Sequence, residues 1–203
     1  MDLLRLIGYF IGKICWFVTY VGRENIPAKS SSSYLIAANH QTYIDPVWIC
    51  LPIRRKMRFM AFDRFLDQPG VGPIISFLGA FPVSTEVGGT LKAMKAARRA
   101  LKDGAVLTVF PEGARAFADG EMLPFKTGAV RIALRASVPI LPVSVRGGDR
   151  IWPRGQKYPR FFRRVTITYH PLLNLKDGES HDDLDLLTEK LRETIGSKAA
   201  QRF

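Results

Sequence analysis

Tyr34-Leu35-Ile36-Ala37-Ala38-Asn39-His40-Gln41-Thr42-Tyr43-Ile44-Asp45-Pro46 is the stretch on which the architecture turns. Its first five residues make a short apolar run, the pattern of a buried strand. Asp45-Pro46 then begins a second apolar segment in the way a helix begins, with Asp as the cap and Pro in the first turn. A strand that delivers His40 to its end, followed by a helix opening on Asp45, is how an α/β fold builds an acid–base pair. The plainer alternative is a capping Asp45 beside an ordinary turn histidine.

A second stretch weighs against the plainer alternative. Phe110-Pro111-Glu112-Gly113-Ala114-Arg115 also follows a β-branched apolar run, Val106-Leu107-Thr108-Val109. A Glu, a Gly and an Arg at a strand end make poor core material and good material for binding anions and hydroxyls. Two such strand ends in one small domain imply a site.

Outward from these stretches, strand and helix patterns alternate. Strands are expected at 58–62, 79–83 (an edge, given Pro82), 105–110, 139–145 and 165–169, the last alternating as an edge strand does. Helices are expected at 46–52, 90–102 and 125–136, with a short apolar helix or turn at 70–77. A last helix opens at Ser180 with Asp183 three residues on, a capping-box pattern. The fold class is therefore α/β: a single domain with a central, mostly parallel sheet flanked by helices and sites at strand ends. No internal repeat or second globular domain is visible.

At 203 residues the chain suits one core, and its 47% apolar and 24% charged residues describe a folded protein. Charge is the outlier: 30 Lys and Arg against 18 Asp and Glu give a net +12. That balance calls for an anionic partner, either nucleic acid or an acidic lipid surface. Cys15 and Cys50 sit in apolar surroundings without metal-ligand spacing, so they read as reduced packing residues. No metal site is suggested. His170 and His181 read as packing or surface residues.

Residues 2–21 form an apolar stretch interrupted by Arg5 and Lys13. On a helix, Leu3, Ile7, Phe10, Ile14, Phe17, Val18 and Val21 share one arc, and Arg5, Tyr9, Lys13, Trp16 and Tyr20 the other. Aromatic and basic groups opposite an apolar face suit a helix lying in a membrane interface. Two internal cations disfavour spanning, and Asp2 disfavours a secretory signal. The expected division is thus 1–22 as an amphipathic membrane-associating helix and 23–203 as the catalytic domain, peripheral on the cytoplasmic face of a membrane. The plain alternative is a helix packed on its own domain. The loop 146–164 interleaves cations with Trp152, Tyr158, Phe161 and Phe162; beside that helix it favours acidic lipid over nucleic acid.

With its motifs placed, the chain resembles the glycerolipid acyltransferase family, specifically the 1-acyl-glycerol-3-phosphate (lysophosphatidate) acyltransferases. The resemblance covers about residues 21–173 in four ordered blocks: His40 to Asp45, Gly79 to Thr85, Phe110 to Arg115, and Val138 to Val143. It implies transfer of a fatty acyl group from acyl-CoA or acyl carrier protein to a lysolipid hydroxyl, without a cofactor, in phospholipid biosynthesis. It also implies His40 and Asp45 as catalytic residues, and Glu112, Gly113 and Arg115 as acceptor-binding residues. In one departure, Thr85 stands where the family carries a phosphate-holding Arg. Either another cation compensates, with Lys126, Arg131 and Arg146 as candidates, or the acceptor is another lysophospholipid, a lyso-aminolipid or glycerol 3-phosphate. A non-catalytic basic protein that binds lipid or nucleic acid is the alternative from another class.

The chemistry fits the residues. A neutral imidazole can take a hydroxyl proton as general base, and a carboxylate can fix its tautomer and stabilise the imidazolium. No enzyme nucleophile is needed, because the acceptor hydroxyl itself attacks. Consistent with this, the chain has no Gly-x-Ser-x-Gly elbow.

Overall fold

The computed structural model describes residues 2–62, 66–67, 71–77, 79–83, 89–117, 120–175 and 183–197. Its strands are β1 (Thr19–Val21), β2 (Leu35–Ala38), β3 (Met57–Phe62), β4 (Ala80–Val83), β5 (Val106–Val109), β6 (Ile140–Arg146) and β7 (Thr166–Tyr169). Its helices are α1 (Asp2–Trp16), α2 (Asp45–Cys50), α3 (Val71–Phe77), α4 (Gly89–Lys102), α5 (Gly128–Ala136) and α6 (Leu184–Gly196). The strands make one 7-stranded sheet in the order β1-β7-β6-β2-β5-β3-β4. Every neighbouring pair is parallel except β6–β7, so the expected α/β architecture with a mostly parallel sheet is what forms.

β2 is central, hydrogen-bonded to β5 on one side and β6 on the other. Alternate residues point to opposite faces of a strand, and here both faces are covered. Ile36 and Ala38 join the core made with Val18, Trp48 and Ile49, on the α2 side. Leu35 and Ala37 join the core made with Ala97 and Leu101 of α4, Val130 and Ala133 of α5, and Leu187 and Leu191 of α6. Burial on both faces is why β2 reads as an unbroken apolar run rather than an alternating one. Because β2 and β5 are parallel neighbours, their carboxyl ends emerge side by side. That places residues 39–45 beside residues 110–115.

Helix α2 is short, and its last carbonyls are held by tyrosines from distant strands. Tyr20 donates its hydroxyl proton to Trp48 O at 3.1 Å, and Tyr169 to Ile49 O at 2.6 Å. These bonds satisfy acceptors that a helix end leaves open, and they pin α2, with Asp45 at its start, against the sheet.

Several expectations are corrected. The N-terminal helix stops at Trp16: Phe17 takes a left-handed φ of +43°, and Thr19–Val21 pairs with β7, so the apolar run continues as a strand. The segment 1–22 thus contributes a strand to the sheet of the domain that follows it. β7 is not an edge strand, because β1 covers its outer side. Helix α5 opens at Gly128 rather than at residue 125. Asp45 does not cap α2: Ile44 occupies that position and Asp45 lies inside the first turn with Pro46. Ser84 and Thr85 of the second block, Ser180 of the capping box, and His181 lie outside the described residues.

Candidate active site

Asp45 is fully buried, and its carboxylate gathers the residues around it. Oδ2 accepts the backbone N–H groups of Gln41 (2.6 Å) and Thr42 (2.8 Å), and Oδ1 accepts the Thr42 hydroxyl at 2.7 Å. Oδ2 also lies 2.9 Å from His40 Nδ1. These donors fix the carboxylate in place, and it orients the imidazole with Nδ1–H toward itself. Nε2 then carries the lone pair. It has no hydrogen-bond partner among the described residues, and the His40 side chain keeps 19% of its surface exposed. The ring lies against Phe110, with centroids 4.0 Å apart and planes 21° apart, which fixes the direction of Nε2.

Three side chains that the sequence reading left unassigned set this geometry. Asn39 forms a two-way bond with Val145: its Nδ2 donates to the carbonyl at 2.8 Å, and its Oδ1 accepts the N–H at 2.7 Å. This side chain imitates one more step of the β2–β6 ladder. Gln41 Oε1 accepts Gly148 N–H at 2.8 Å. Gly148 is required there, since a Cβ would lie 2.9 Å from both Gln41 Cβ and Thr42 Cγ2. Thr42 braces Asp45 and accepts Ile44 N–H at 3.0 Å. The polar pattern Asn-His-Gln-Thr signalled these roles, but the partners of Asn39 and Gln41 lie about a hundred residues away.

Glu112 is buried and does not form an ion pair with Arg115. Its Oε1 accepts His40 N–H and its Oε2 accepts Leu123 N–H, each at 2.7 Å. Burial raises its pKa, and the two N–H donors act against that rise. The carboxylate therefore ties the second motif to the backbone of His40. Ala116 N–H completes the link by donating to His40 O at 2.7 Å. Gly113 sits at a left-handed φ of +67°, where a Cβ would lie 2.9 Å from Lys126 Nζ, so the ammonium lies over this glycine. Arg115 is half-buried, and its guanidinium covers the Tyr43 ring at 3.5 Å. Burial lowers its pKa, opposed by Tyr43 and Asp45, and Nη1 is buried without a partner among the described residues. The site residues named from sequence, His40, Asp45, Glu112, Gly113, Arg115 and Lys126, thus come together in one place. Arg146 does not join them: its Nη2 donates to Gly196 O and Ser197 O at the end of α6. Arg131 lies on α5, its Nε buried and unpartnered among the described residues.

His170 occupies a different environment. It is buried, its Nε2 lies 2.7 Å from Ser144 Oγ, and Ser144 donates its proton to Ile195 O. Burial, with Arg146 nearby, pushes its pKa down. Among the described residues no cluster of His, Cys, Asp and Glu is arranged to hold a metal ion.

An open imidazole nitrogen backed by a buried carboxylate, with no serine or cysteine bonded to it among the described residues, suits transfer of a group between two bound substrates. The chain belongs to the Acyltransferase family, whose pattern matches residues 17–146. It is 30% identical over 176 residues to the chloroplastic 1-acyl-sn-glycerol-3-phosphate acyltransferase BAT2 of Brassica napus, covering 86% of this chain and 48% of that protein. It is 29% identical over 143 residues to the 1-acyl-sn-glycerol-3-phosphate acyltransferase of Bacillus subtilis, covering 68% of this chain and 69% of that one. The chain spans about half the length of the plant and algal relatives it matches (48% and 52%). The crystal structure of the 1-acyl-sn-glycerophosphate (LPA) acyltransferase PlsC from Thermotoga maritima is similar with a TM-score of 0.73 and 25% identity, covering 98% of this chain and 94% of that one.

Proposed function

We propose that this protein moves a fatty acyl group from a thioester, acyl-CoA or acyl carrier protein, to the free hydroxyl of 1-acyl-glycerol-3-phosphate, giving phosphatidic acid. The observation that carries this reading is the 2.9 Å His40–Asp45 contact through Nδ1, which leaves Nε2 open beside the Arg115 turn. In the proposed step, His40 Nε2 takes the acceptor hydroxyl proton while the oxygen attacks the thioester carbonyl carbon. The C–S bond then breaks, an ester C–O bond replaces it, and the imidazolium returns its proton to the departing thiolate. Asp45 stabilises the imidazolium between those events. No cofactor is required by this sequence of events.

Arg115 and Lys126 bind the acceptor's phosphate, Arg115 through its planar fork. Gly113 lets the acceptor approach the backbone. Glu112 holds the turn, since a carboxylate set against a phosphate would repel it.

The same reading places the enzyme on the surface of an acidic membrane, at its cytoplasmic face. Helix α1 is bound to the domain by one side: Tyr9 stacks on Tyr20 with centroids 5.9 Å apart, and Trp16 meets Trp48 edge-on at 5.7 Å. Its other side leaves Leu6, Ile7, Phe10, Ile11 and Ile14 exposed, with Phe10 at 57% and Ile14 at 62%. The patch continues onto the basic loop. Trp16 stacks on Phe161 at 5.5 Å and donates from Nε1 to Arg160 O, while Phe162 N–H donates to Cys15 O. Among the described residues no helix is long and apolar enough to cross a membrane. An apolar face rimmed by exposed Arg160, Arg163 and Arg164 suits insertion to the headgroup level.

The test is the full chain with acyl-CoA and a panel of acceptors: lysophosphatidate, other lysophospholipids, a lyso-aminolipid and glycerol 3-phosphate. Phosphatidate, identified by mass, is the expected main product. Products from another acceptor alone would move the substrate assignment, and thioester intact with every acceptor would end the enzymatic reading. For the membrane, Phe10→Ser with Ile14→Ser is expected to abolish co-sedimentation with phosphatidylglycerol vesicles. Unchanged sedimentation would refute that surface.

A further inference from the structure

Thr85 cannot supply the charge that an Arg there would bring to the acceptor's phosphate. Arg146 is committed to the carbonyls of α6, so it does not compensate. A different cation lies beside the Arg115 turn. The Arg154 guanidinium carbon sits 5.1 Å from the centroid of Phe117, two residues past Arg115 on the same loop. The segment carrying Arg154 is itself tied to the catalytic motif. Trp152 meets Tyr43 edge-on, with centroids 5.2 Å apart, and the Tyr43 ring is the one that Arg115 covers at 3.5 Å. Trp152 N–H donates to Gly148 O, and Gly148 N–H in turn donates to Gln41.

The result is a ladder from Arg115 through Tyr43 to Trp152, with Arg154 returning from it to Phe117. Burial is the main cause of the lowered pKa of Arg115, and the charge of Arg154 adds a smaller push in the same direction. Neither forms an ion pair with a carboxylate among the described residues. Aromatic rings hold both in place, and like charges held near one another with no carboxylate in direct contact among the described residues favour an anion between them.

We propose that Arg154 acts with Arg115 to bind the dianionic phosphate monoester of the acceptor, supplying the charge absent at Thr85. This rests on the lysophosphatidate reading above. A monoester carries nearly two charges near neutral pH and a phosphodiester carries one, so the pair selects lysophosphatidate over diester lysolipids. CoA also carries a phosphate monoester, and the kinetics separate the two sources.

In steady-state assays of the full chain, Arg154→Gln is expected to raise KM for lysophosphatidate about 10-fold, the scale of one lost charge-assisted hydrogen bond. KM for acyl-CoA stays within about twofold, and Arg154→Lys recovers part of the loss. The preference for lysophosphatidate over lysophosphatidylglycerol falls by a similar factor. Lys190→Gln, which removes one exposed charge from α6, leaves all of these unchanged. An unaltered acceptor KM in Arg154→Gln overturns the inference, and so does a rise in the acyl-CoA KM instead. A wild-type chain that does not acylate lysophosphatidate would instead overturn the reading on which the inference stands.

Discussion

His40 and His170 each lie at the end of a strand of the one sheet, each is hydrogen-bonded to an oxygen, and the two have opposite chemistry. His40 gives Nδ1 to a buried carboxylate and keeps Nε2 open toward partly exposed space. His170 faces a serine hydroxyl through Nε2 at 2.7 Å, and that serine spends its own proton on Ile195 O. Ser144 must then accept, so Nε2 of His170 carries a hydrogen and has no lone pair to offer. Burial and Arg146 also disfavour its protonated form. A serine beside a histidine at a strand end resembles part of a hydrolase triad. The proton inventory shows a structural strut joining β6, β7 and the end of α6. Which nitrogen is free, rather than which residues are close, separates the proposed base from the strut.

The largest break in this contrast is His40→Ala, expected to lower kcat about 10³-fold, within the range for loss of a positioned general base. Folding, checked by circular dichroism, should survive, because His40 is not a core residue. Asp45→Asn follows, with kcat down about 10²-fold or more as the imidazole loses its tautomer and its countercharge. It also costs stability, since the new amide confronts the N–H groups of Gln41 and Thr42. A thermal midpoint equal to wild type would show that those bonds contribute little. The smallest catalytic effect is expected of His170→Ala, with kcat within about twofold and unfolding free energy lower by roughly 1–3 kcal/mol.

The pH dependence of that stability loss sharpens the comparison. A histidine whose folded pKa is depressed contributes stability above the ordinary histidine range, and this is lost as pH falls through its lowered value. Wild type should therefore exceed His170→Ala most at about pH 8, with the gap narrowing as pH falls below about 6.5. A gap that widens on acidification would show that protonated His170 is the form the fold stabilises.

Much of this site was legible in the chain. The apolar run 34–38 and the polar residues at its end are enough to place His40 and Asp45 together at a strand end. The parallel pairing of β2 with β5 then brought Glu112, Gly113 and Arg115 to them. Less legible was anything fixed by long-range partners. Asp45 looked like a cap because its neighbours in sequence allowed it, whereas its carboxylate faces His40, Gln41 and Thr42. Glu112 was visible as a carboxylate, but not its bonds to His40 and Leu123, which make it a brace. The end of α1 at Trp16 was hidden because the apolar pattern runs on without interruption into β1. β7 looked like an edge because alternation says nothing about which strand arrives beside it. Arg154 is one of several cations in a basic loop, and only its own contact with Phe117 and that of Trp152 with Tyr43 single it out.

The most direct test sets the two histidines against each other in one assay, lysophosphatidate-dependent release of thiol from acyl-CoA. His40→Ala should run at about a thousandth of the wild-type rate and His170→Ala within about twofold of it, both with native circular dichroism. Transfer by His40→Ala at near the wild-type rate, or an equal loss in the two variants, would contradict the assignment of His40 as the base.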